Sequence, residues 1–320
     1  MMYSRITGTG RYLPERVLTN DDLEGMLETS AEWIRTRTGI EQRHIAADHE
    51  STSDLAYHAC LAAMKAAELE PQDIDMIVVG TCTPDLVFPN VACILQERLG
   101  ICDGPAFSVE AACSGFLYAF TIADQFIRAG SVRRALVVGA ETLSRIQDWK
   151  DRETCILFGD GAGAVILEAD DQPGVMYSSL GADGKYKDLL YVEPELSRKS
   201  TVLDELHVRM NGNEVFKVAV RTLERMVDQV VEDNDIKRGD IDWLIPHQAN
   251  LRIIKATAKR LKMPMEQVVQ TIADHGNTSA ASVPIALDTA VRDNRIQRGD
   301  LLLLEAFGGG FTWGASLVRY

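Results

Sequence analysis

The chain has 320 residues, 46% of them hydrophobic and 25% charged, with a formal net charge of −14. That length and apolar content suffice for two core-bearing halves of about 160 residues each. There is no run of about 18 apolar residues, and Met1 to Tyr12 lacks a basic region followed by an apolar stretch. A membrane span and a signal peptide are therefore not expected, and a soluble, cytoplasmic protein is.

In chain order, the elements read as one pattern written twice. Asp73-Ile-Asp75 leads into the apolar run Met76 to Val79, and Asp240-Ile-Asp242 leads into Trp243 to Ile245. Ala135 to Val138 is answered by Leu301 to Leu304, and Gly163 to Leu167 by Gly314 to Val318. Cys113 to Gly130 and Asn277 to Asn294 run through equal lengths, which aligns Cys113 with Asn277. Short apolar runs alternating with helical-period segments predict an α/β fold of two duplicated halves, residues 1–170 and 171–320.

Six cysteines lie in the first half with no Cys-x-x-Cys pair, so neither a disulfide framework nor a zinc site is expected. Five of them are expected to be small buried apolar residues. Cys113 stands apart by position. Pro105 to Val109 reads as a strand, and Ser114 to Ala129 as a helix with apolar residues at Phe116, Phe120, Ala123 and Ile127. A thiol at that junction faces the positive end of a helix, which stabilises an anion by roughly 0.3 to 2 kcal/mol. That predicts a large minority of thiolate at neutral pH. A packed cysteine at a tight turn fits the junction equally well.

Ile241 to Ile245 reads as a second-half strand ended by Pro246, with His247-Gln-Ala-Asn250 opening the next helix. His247 then lies at a strand's carboxyl end, where ligands collect in such sheets. His44, His49, His58 and His207 lie on polar or mixed segments and read as solvated or structural, while His275 is a loop residue or a supporting neighbour of Asn277.

Cysteine, histidine and asparagine together suit two chemistries. In cysteine hydrolases the asparagine orients the histidine. In decarboxylative carbon–carbon bond formation the thiolate takes an acyl group from a thioester. Loss of carbon dioxide from a malonyl thioester then leaves an enolate. Uncharged N–H donors stabilise it, each by about 2.7 to 4 kcal/mol.

Four separated motifs decide between them. Ala111-Ala-Cys-Ser-Gly-Phe116, Ile245-Pro-His-Gln-Ala-Asn-Leu-Arg252, His275-Gly-Asn-Thr-Ser-Ala-Ala-Ser282 and Gly308-Gly-Gly-Phe-Thr-Trp-Gly314 resemble β-ketoacyl-acyl carrier protein synthase III, the initiating condensing enzyme of bacterial type II fatty acid synthesis. Trp33 to Ile40 and Phe158 to Gly163 are similar to the same family. The resemblance implies a thiolase-like fold of two pseudo-symmetric halves in α-β-α-β-α layers, usually a homodimer. It makes Cys113 the acyl acceptor, His247 and Asn277 the enolate-stabilising pair, and the N–H groups of Cys113 and Gly309 the oxyanion hole. From the residues alone, Gly308 to Gly310 also read as a glycine bulge beside a strand.

By the same resemblance, Trp33, Arg37 and Arg152 hold the coenzyme A nucleotide, and Asn213 and Asn250 line the pantetheine tunnel. Trp33 read by itself is a buried core residue. Thr81 to Pro89 departs from the family pattern at the acyl-pocket wall. There a phenylalanine matching Phe88 is contributed across the dimer, and its bulk favours acetyl or another short primer. No metal or organic cofactor is implied, since acyl-coenzyme A is a substrate.

Charge bears on partners independently. Arg252, Lys255 and Lys259 share one helix face in an acidic chain, and Arg260 and Lys262 adjoin them. A basic stripe of this kind suits an acidic macromolecule, although exposed charge runs are also simply solvated. The resemblance points to acyl carrier protein, docked by Gln248, Ala249, Asn250, Leu251, Arg252, Lys259 and Arg260 with help from Lys217. Nucleic acid is disfavoured by the overall charge. A condensing or acyl-transfer enzyme of secondary metabolism and a non-catalytic carrier-protein binding module are the other readings.

Overall fold

A computed structural model describes residues 2–193 and 206–320. The first half supplies β1 (Tyr3–Tyr12), α1 (Thr52–Ala67), β2 (Met76–Gly80), α2 (Val91–Leu99), β3 (Ala106–Val109), α3 (Gly115–Arg128), β4 (Arg134–Glu141) and β5 (Gly161–Asp170). The second supplies β6 (Val175–Ala182), α4 (Gly212–Asp233), β7 (Trp243–Pro246), α5 (Leu251–Leu261), α6 (Ser282–Arg292), β8 (Leu301–Gly308) and β9 (Thr312–Arg319).

The repeated Asp-Ile-Asp does the same work in both halves. Asp73 and Asp240 each close a 3₁₀ turn by accepting the N–H of Glu70 and Lys237, at 2.9 and 2.8 Å. Asp75 then accepts the N–H groups of Arg133 and Arg134, and Asp242 that of Leu301, at 2.7 to 2.9 Å. Each second aspartate thus fixes a parallel register, Met76 opposite Ala135 and Trp243 opposite Leu302. One residue of slip would turn every side chain to the wrong face.

The two sheets repeat one order. The first runs β1-β5-β4-β2-β3 and the second β6-β9-β8-β7. Val268 bridges Leu244 in parallel where the first sheet has β3. The chain passes from one sheet to the other between Asp170 and Val175. Helices α3 and α6 lie between the sheets, α1 and α2 cover the outer face of the first, and α4 and α5 cover the second. The resulting α-β-α-β-α stack buries three apolar layers, the central one built on Phe116, Phe120, Val283, Leu287 and Leu304. Among the described residues no helix is long and apolar enough to cross a membrane.

Two expectations need correction. The structural counterpart of Cys113 is Ala280, not Asn277. Ala112 and Ser279 hold matching left-handed conformations (φ 44° and 48°) at the start of matching 3₁₀ turns, Ala112–Ser114 and Ser279–Ala281. The equal spacing arises because α6 has 11 residues against 14 in α3, which offsets the earlier placement of Asn277. Helix α5 also begins later than expected. The Asn250 side chain accepts the Arg252 N–H and caps it, leaving His247 to Ala249 as an irregular link after β7.

Glycine lets strands and helix-leading turns meet where the halves join. A Cβ on Gly80 would overlap the backbone of Gly115, and one on Gly139 would overlap the Ala280 carbonyl. These contacts seat the leading turns of α3 and α6 directly on strands β2 and β4. Gly139→Ala is therefore expected to destabilise the fold by about 1 to 3 kcal/mol. Urea unfolding measures this, and an unchanged midpoint would show that the junction has room to spare.

Candidate active site

A cavity of about 640 Å³ runs from exposed Arg37, Arg152 and Asn213 inward to buried Cys113, His247 and Asn277. The three buried residues reach it from different elements. Cys113 rides the 3₁₀ turn between β3 and α3, and His247 follows the last residue of β7. Asn277 follows the short helix Ile272–His275.

Each polar group is held in one orientation. The Asn277 N–H donates to Leu157 O at 2.8 Å, and its carbonyl accepts the Gly159 N–H at 3.0 Å. Its side-chain oxygen accepts the Ser279 N–H at 2.8 Å, which leaves the NH₂ end free to donate. The His247 N–H donates to Glu305 O at 2.7 Å, and its Nδ1 lies 2.6 Å from the Ser282 hydroxyl. That hydroxyl already accepts the Gln248 N–H at 3.3 Å and has no other acceptor among the described residues. Its hydrogen therefore goes to Nδ1, which places the ring proton on Nε2.

Burial sets the charge states. It pushes His247 down to about 3, so the imidazole is neutral at physiological pH. Burial also pushes the Cys113 thiol up to about 12, against the opposing pull of the Ser279 hydroxyl. Burial thus opposes the helix end that was expected to favour the thiolate. Ser279 also lies beside Glu141, a buried carboxyl raised by desolvation that accepts from Thr83 Oγ1 at 2.5 Å and Thr81 Oγ1 at 3.2 Å.

The outer wall is basic and aromatic. Arg37 and Arg152 stand 5.0 and 5.6 Å from the half-buried Trp33 ring, a stack open to an anionic, planar ligand. Trp33 is thus a cavity-lining residue rather than part of the deep core. Asn250 lines the cavity, but its amide is committed, donating to Arg37 O at 3.1 Å while it caps α5. The mouth and the basic helix are thereby tied together.

The residues expected to dock a carrier protein fall in different places. Gln248 is buried and donates to Pro246 O and Val269 O while accepting from Thr271 and Ile272 N–H, so no docking partner reaches it. Ala249 lines the cavity, and Leu251 packs under Gly39. Lys217 and Lys259 are exposed, while Arg260 is paired with Asp228. Arg252 stacks 5.0 Å from Phe216. The glycine on the cavity wall is Gly308, where an added Cβ would lie 2.6 Å from the Cys113 nitrogen, and Gly309 lies against Leu190 and Ala112. Phe88 is 82% exposed and does not line this chain's cavity.

Of the other cysteines Cys60 and Cys155 are buried, Cys82 and Cys93 are half-buried with their thiols directed to Glu141 and Ala106 O, and Cys102 is exposed, so fewer are fully buried than expected. His275 is out of the cavity, edge-on to His44 at 5.7 Å. Among the described residues no group of three or more His, Cys, Asp or Glu is placed to hold a metal ion. Sequence reading missed Ser279, Ser282 and Glu141, whose roles depend on contacts between segments distant along the chain. The only signal for the serines was their place in the His275 to Ser282 motif.

The thiol's raised pKa has a direct readout. Alkylation of Cys113 by iodoacetamide is expected to speed up continuously with pH, with no plateau through about pH 9, because the reactive thiolate forms only as pH climbs toward about 12. A plateau near neutrality, followed by mass spectrometry, would show a thiolate already formed.

Comparison with known proteins agrees with this arrangement. Residues 107–184 match the model of 3-oxoacyl-[acyl-carrier-protein] synthase III, and residues 231–320 match the model of its C-terminal part. The β-ketoacyl-[acyl-carrier-protein] synthase III of Alkalilimnicola ehrlichii is 58% identical, with 100% of each chain covered. That of Xanthomonas campestris pv. campestris is 60% identical, over 100% of this chain and 99% of the relative. The crystal structure of 3-oxoacyl-[acyl-carrier-protein] synthase III from Aquifex aeolicus superposes with a TM-score of 0.93 at 46% identity, covering 99% of this chain and 100% of that one. The chain belongs to the β-ketoacyl-acyl carrier protein synthase III family and has its thiolase-like fold.

Proposed function

We propose that this chain condenses a short acyl-coenzyme A with malonyl-acyl carrier protein, releasing carbon dioxide and coenzyme A and giving the 3-oxoacyl product that starts a fatty acid. The observation that carries the reading is one cavity in which a buried thiol meets two neutral N–H donors of fixed orientation. The chain is an acyltransferase of the condensing class, with full-length relatives of that name.

In the first half-reaction the Cys113 sulfur attacks the acyl thioester carbon, the bond to coenzyme A breaks, and the thiol proton ends on the departing sulfur. The backbone N–H of Cys113, with one from the Gly308-Gly309 segment, faces the oxyanion. Trp33, Arg37 and Arg152 hold the nucleotide end, and Asn213 and Asn250 border the pantetheine arm. In the second, malonyl decarboxylation places an enolate oxygen between His247 Nε2–H and the Asn277 NH₂. A donor there is worth about 2.7 to 4 kcal/mol, and a charged imidazolium or carboxylate would upset that balance. Acetyl is the primer best suited to the bulk of Phe88. The reaction proceeds on protein groups alone, in the cytoplasm.

Acyl carrier protein reaches the mouth over exposed Arg252, Lys255 and Lys259, which supply a positive face beside the cavity on an acidic protein. A homodimer accounts for Leu86, Val87 and Phe88, which are 52%, 84% and 82% exposed on adjacent positions. Phe88→Asp is expected to convert a dimer to a monomer in analytical ultracentrifugation. A wild-type monomer would remove the dimer from the proposal.

With His247 neutral and its Nδ1 engaged, it is a poor base for the thiol. His247→Ala is therefore expected to retain Cys113 acylation, read by intact mass after incubation with a panel of acyl-coenzyme A thioesters. Condensation should fall about 10²- to 10³-fold in kcat. Loss of both half-reactions together would contradict this division, and equal acylation by acetyl- and octanoyl-coenzyme A would contradict the short primer.

A further inference from the structure

A buried cation supports the backbone around Asn277, and the steps above make no use of it. Arg43 belongs to the antiparallel pair of strands Arg16–Thr19 and Gln42–Ile45 and is 0% exposed. Its hydrogen-bond partners among the described residues are all neutral. Nη1 donates to Leu18 O at 3.2 Å and to the Asn20 side-chain oxygen at 3.0 Å, while Nη2 donates to Ile156 O at 2.7 Å. Asn20 is itself oriented for this, because its NH₂ end donates to Ile40 O at 2.7 Å. Burial lowers the Arg43 pKa to about 10, which leaves the group charged at neutral pH.

A guanidinium taken out of water with neutral acceptors only is costly, and well-packed apolar side chains in such places are commonly as stabilising or more so. Stability alone is therefore a poor reason for it. Its planar fork of donors supplies direction as well as attraction, and the direction leads to the catalytic amide. Ile156 opens the segment 156–159 that cradles Asn277, with Leu157 O accepting the Asn277 N–H at 2.8 Å and the Gly159 N–H donating to Asn277 O at 3.0 Å. The Arg43 stem lies against the same backbone. Its Cβ is 3.0 Å from where a Cβ on Gly159 would stand and 3.2 Å from one on Gly276. Just beyond the segment, the Asp160 N–H donates to His44 O at 2.9 Å, so the cradle is held at both ends by one strand.

The two half-reactions depend on this cradle unequally. Acyl transfer uses the Cys113 turn and the Gly308 wall, which none of the Arg43 hydrogen bonds reaches. Condensation needs the Asn277 NH₂ at the enolate oxygen, where a misplacement of about 1 Å can cost about 10²-fold in rate. We infer that Arg43 is a positioning residue for condensation, which sets the place of the Asn277 amide through Ile156 and the backbone that follows it; the inference rests on the condensation reading above. Arg43 acts through that backbone and does not touch substrate.

Amide exchange and separated half-reactions test this together. In wild type the N–H groups of Asn277 and Gly159 are expected to exchange with deuterium as slowly as those of β4. In R43M they should exchange at least about tenfold faster while β4 stays protected. R43M should acylate Cys113 within about threefold of the wild-type rate and lose about 10- to 100-fold in kcat for condensation. R43K, which keeps the charge without the fork, should show the same pattern more weakly and serves for the comparison should R43M not fold. Because Arg43 works through Asn277, R43M should add little to the loss already caused by N277A. A fully additive loss in the double variant would overturn the inference, as would equal loss of both half-reactions in a folded Arg43 variant. Fast exchange at Asn277 and Gly159 in wild type would overturn it whatever the variants do. Failure of the condensation reading would look different, because wild type would then form no 3-oxoacyl product while the exchange pattern stayed as described.

Discussion

The contact on which the site depends is the direct seating of two helix-leading turns on the strands between them. Gly80 against Gly115, Gly139 against Ala280 and Gly308 against Cys113 are approaches that no side chain permits. They bring Cys113 from one half beside His247 and Asn277 from the other, and they leave a cavity instead of a packed seam. Thr312 adds a tie across the same seam, its hydroxyl donating to Ala111 O at 2.8 Å. A duplicated fold whose halves met a few ångströms further apart would keep its cores and lose its chemistry.

Taking the site out of water then fixes its electrostatics. The same burial keeps the imidazole neutral and the thiol protonated. Neutral donors suit a reaction whose negative charge appears only in passing, because they stabilise the enolate without holding the malonyl carboxylate too firmly. On the cavity wall charge is confined to the mouth, where Arg37, Arg152 and Arg252 face solvent and the incoming anionic substrates. Sequestered neutrality within and positive charge without form a gradient from docking to chemistry.

Much of the fold was legible because it rests on local signals. The Asp-Ile-Asp pairs, the apolar strand runs and the helical period after Cys113 all map onto the elements they predicted. His247 was found at its strand tip for the same reason. What escaped was set by contacts between distant segments. The match of Cys113 with Asn277 came from equal spacing, which a shorter helix mimicked, whereas the backbone conformations of Ala112 and Ser279 reveal the true correspondence. Gln248 was placed among the carrier-protein contacts by resemblance, yet four backbone partners hold it inside. The desolvation that pushes the Cys113 thiol up was not legible either, because a helix end is visible in a sequence and burial across the seam is not.

Bound substrate gives the most direct test of the proposed convergence. A crystal structure of the Cys113→Ala protein with a non-hydrolysable malonyl thioester would place the thioester oxygen. It is expected within about 2.7 to 3.2 Å of both His247 Nε2 and Asn277 Nδ2. An oxygen seated away from either nitrogen, with the malonyl group turned from position 113, would contradict the proposed site.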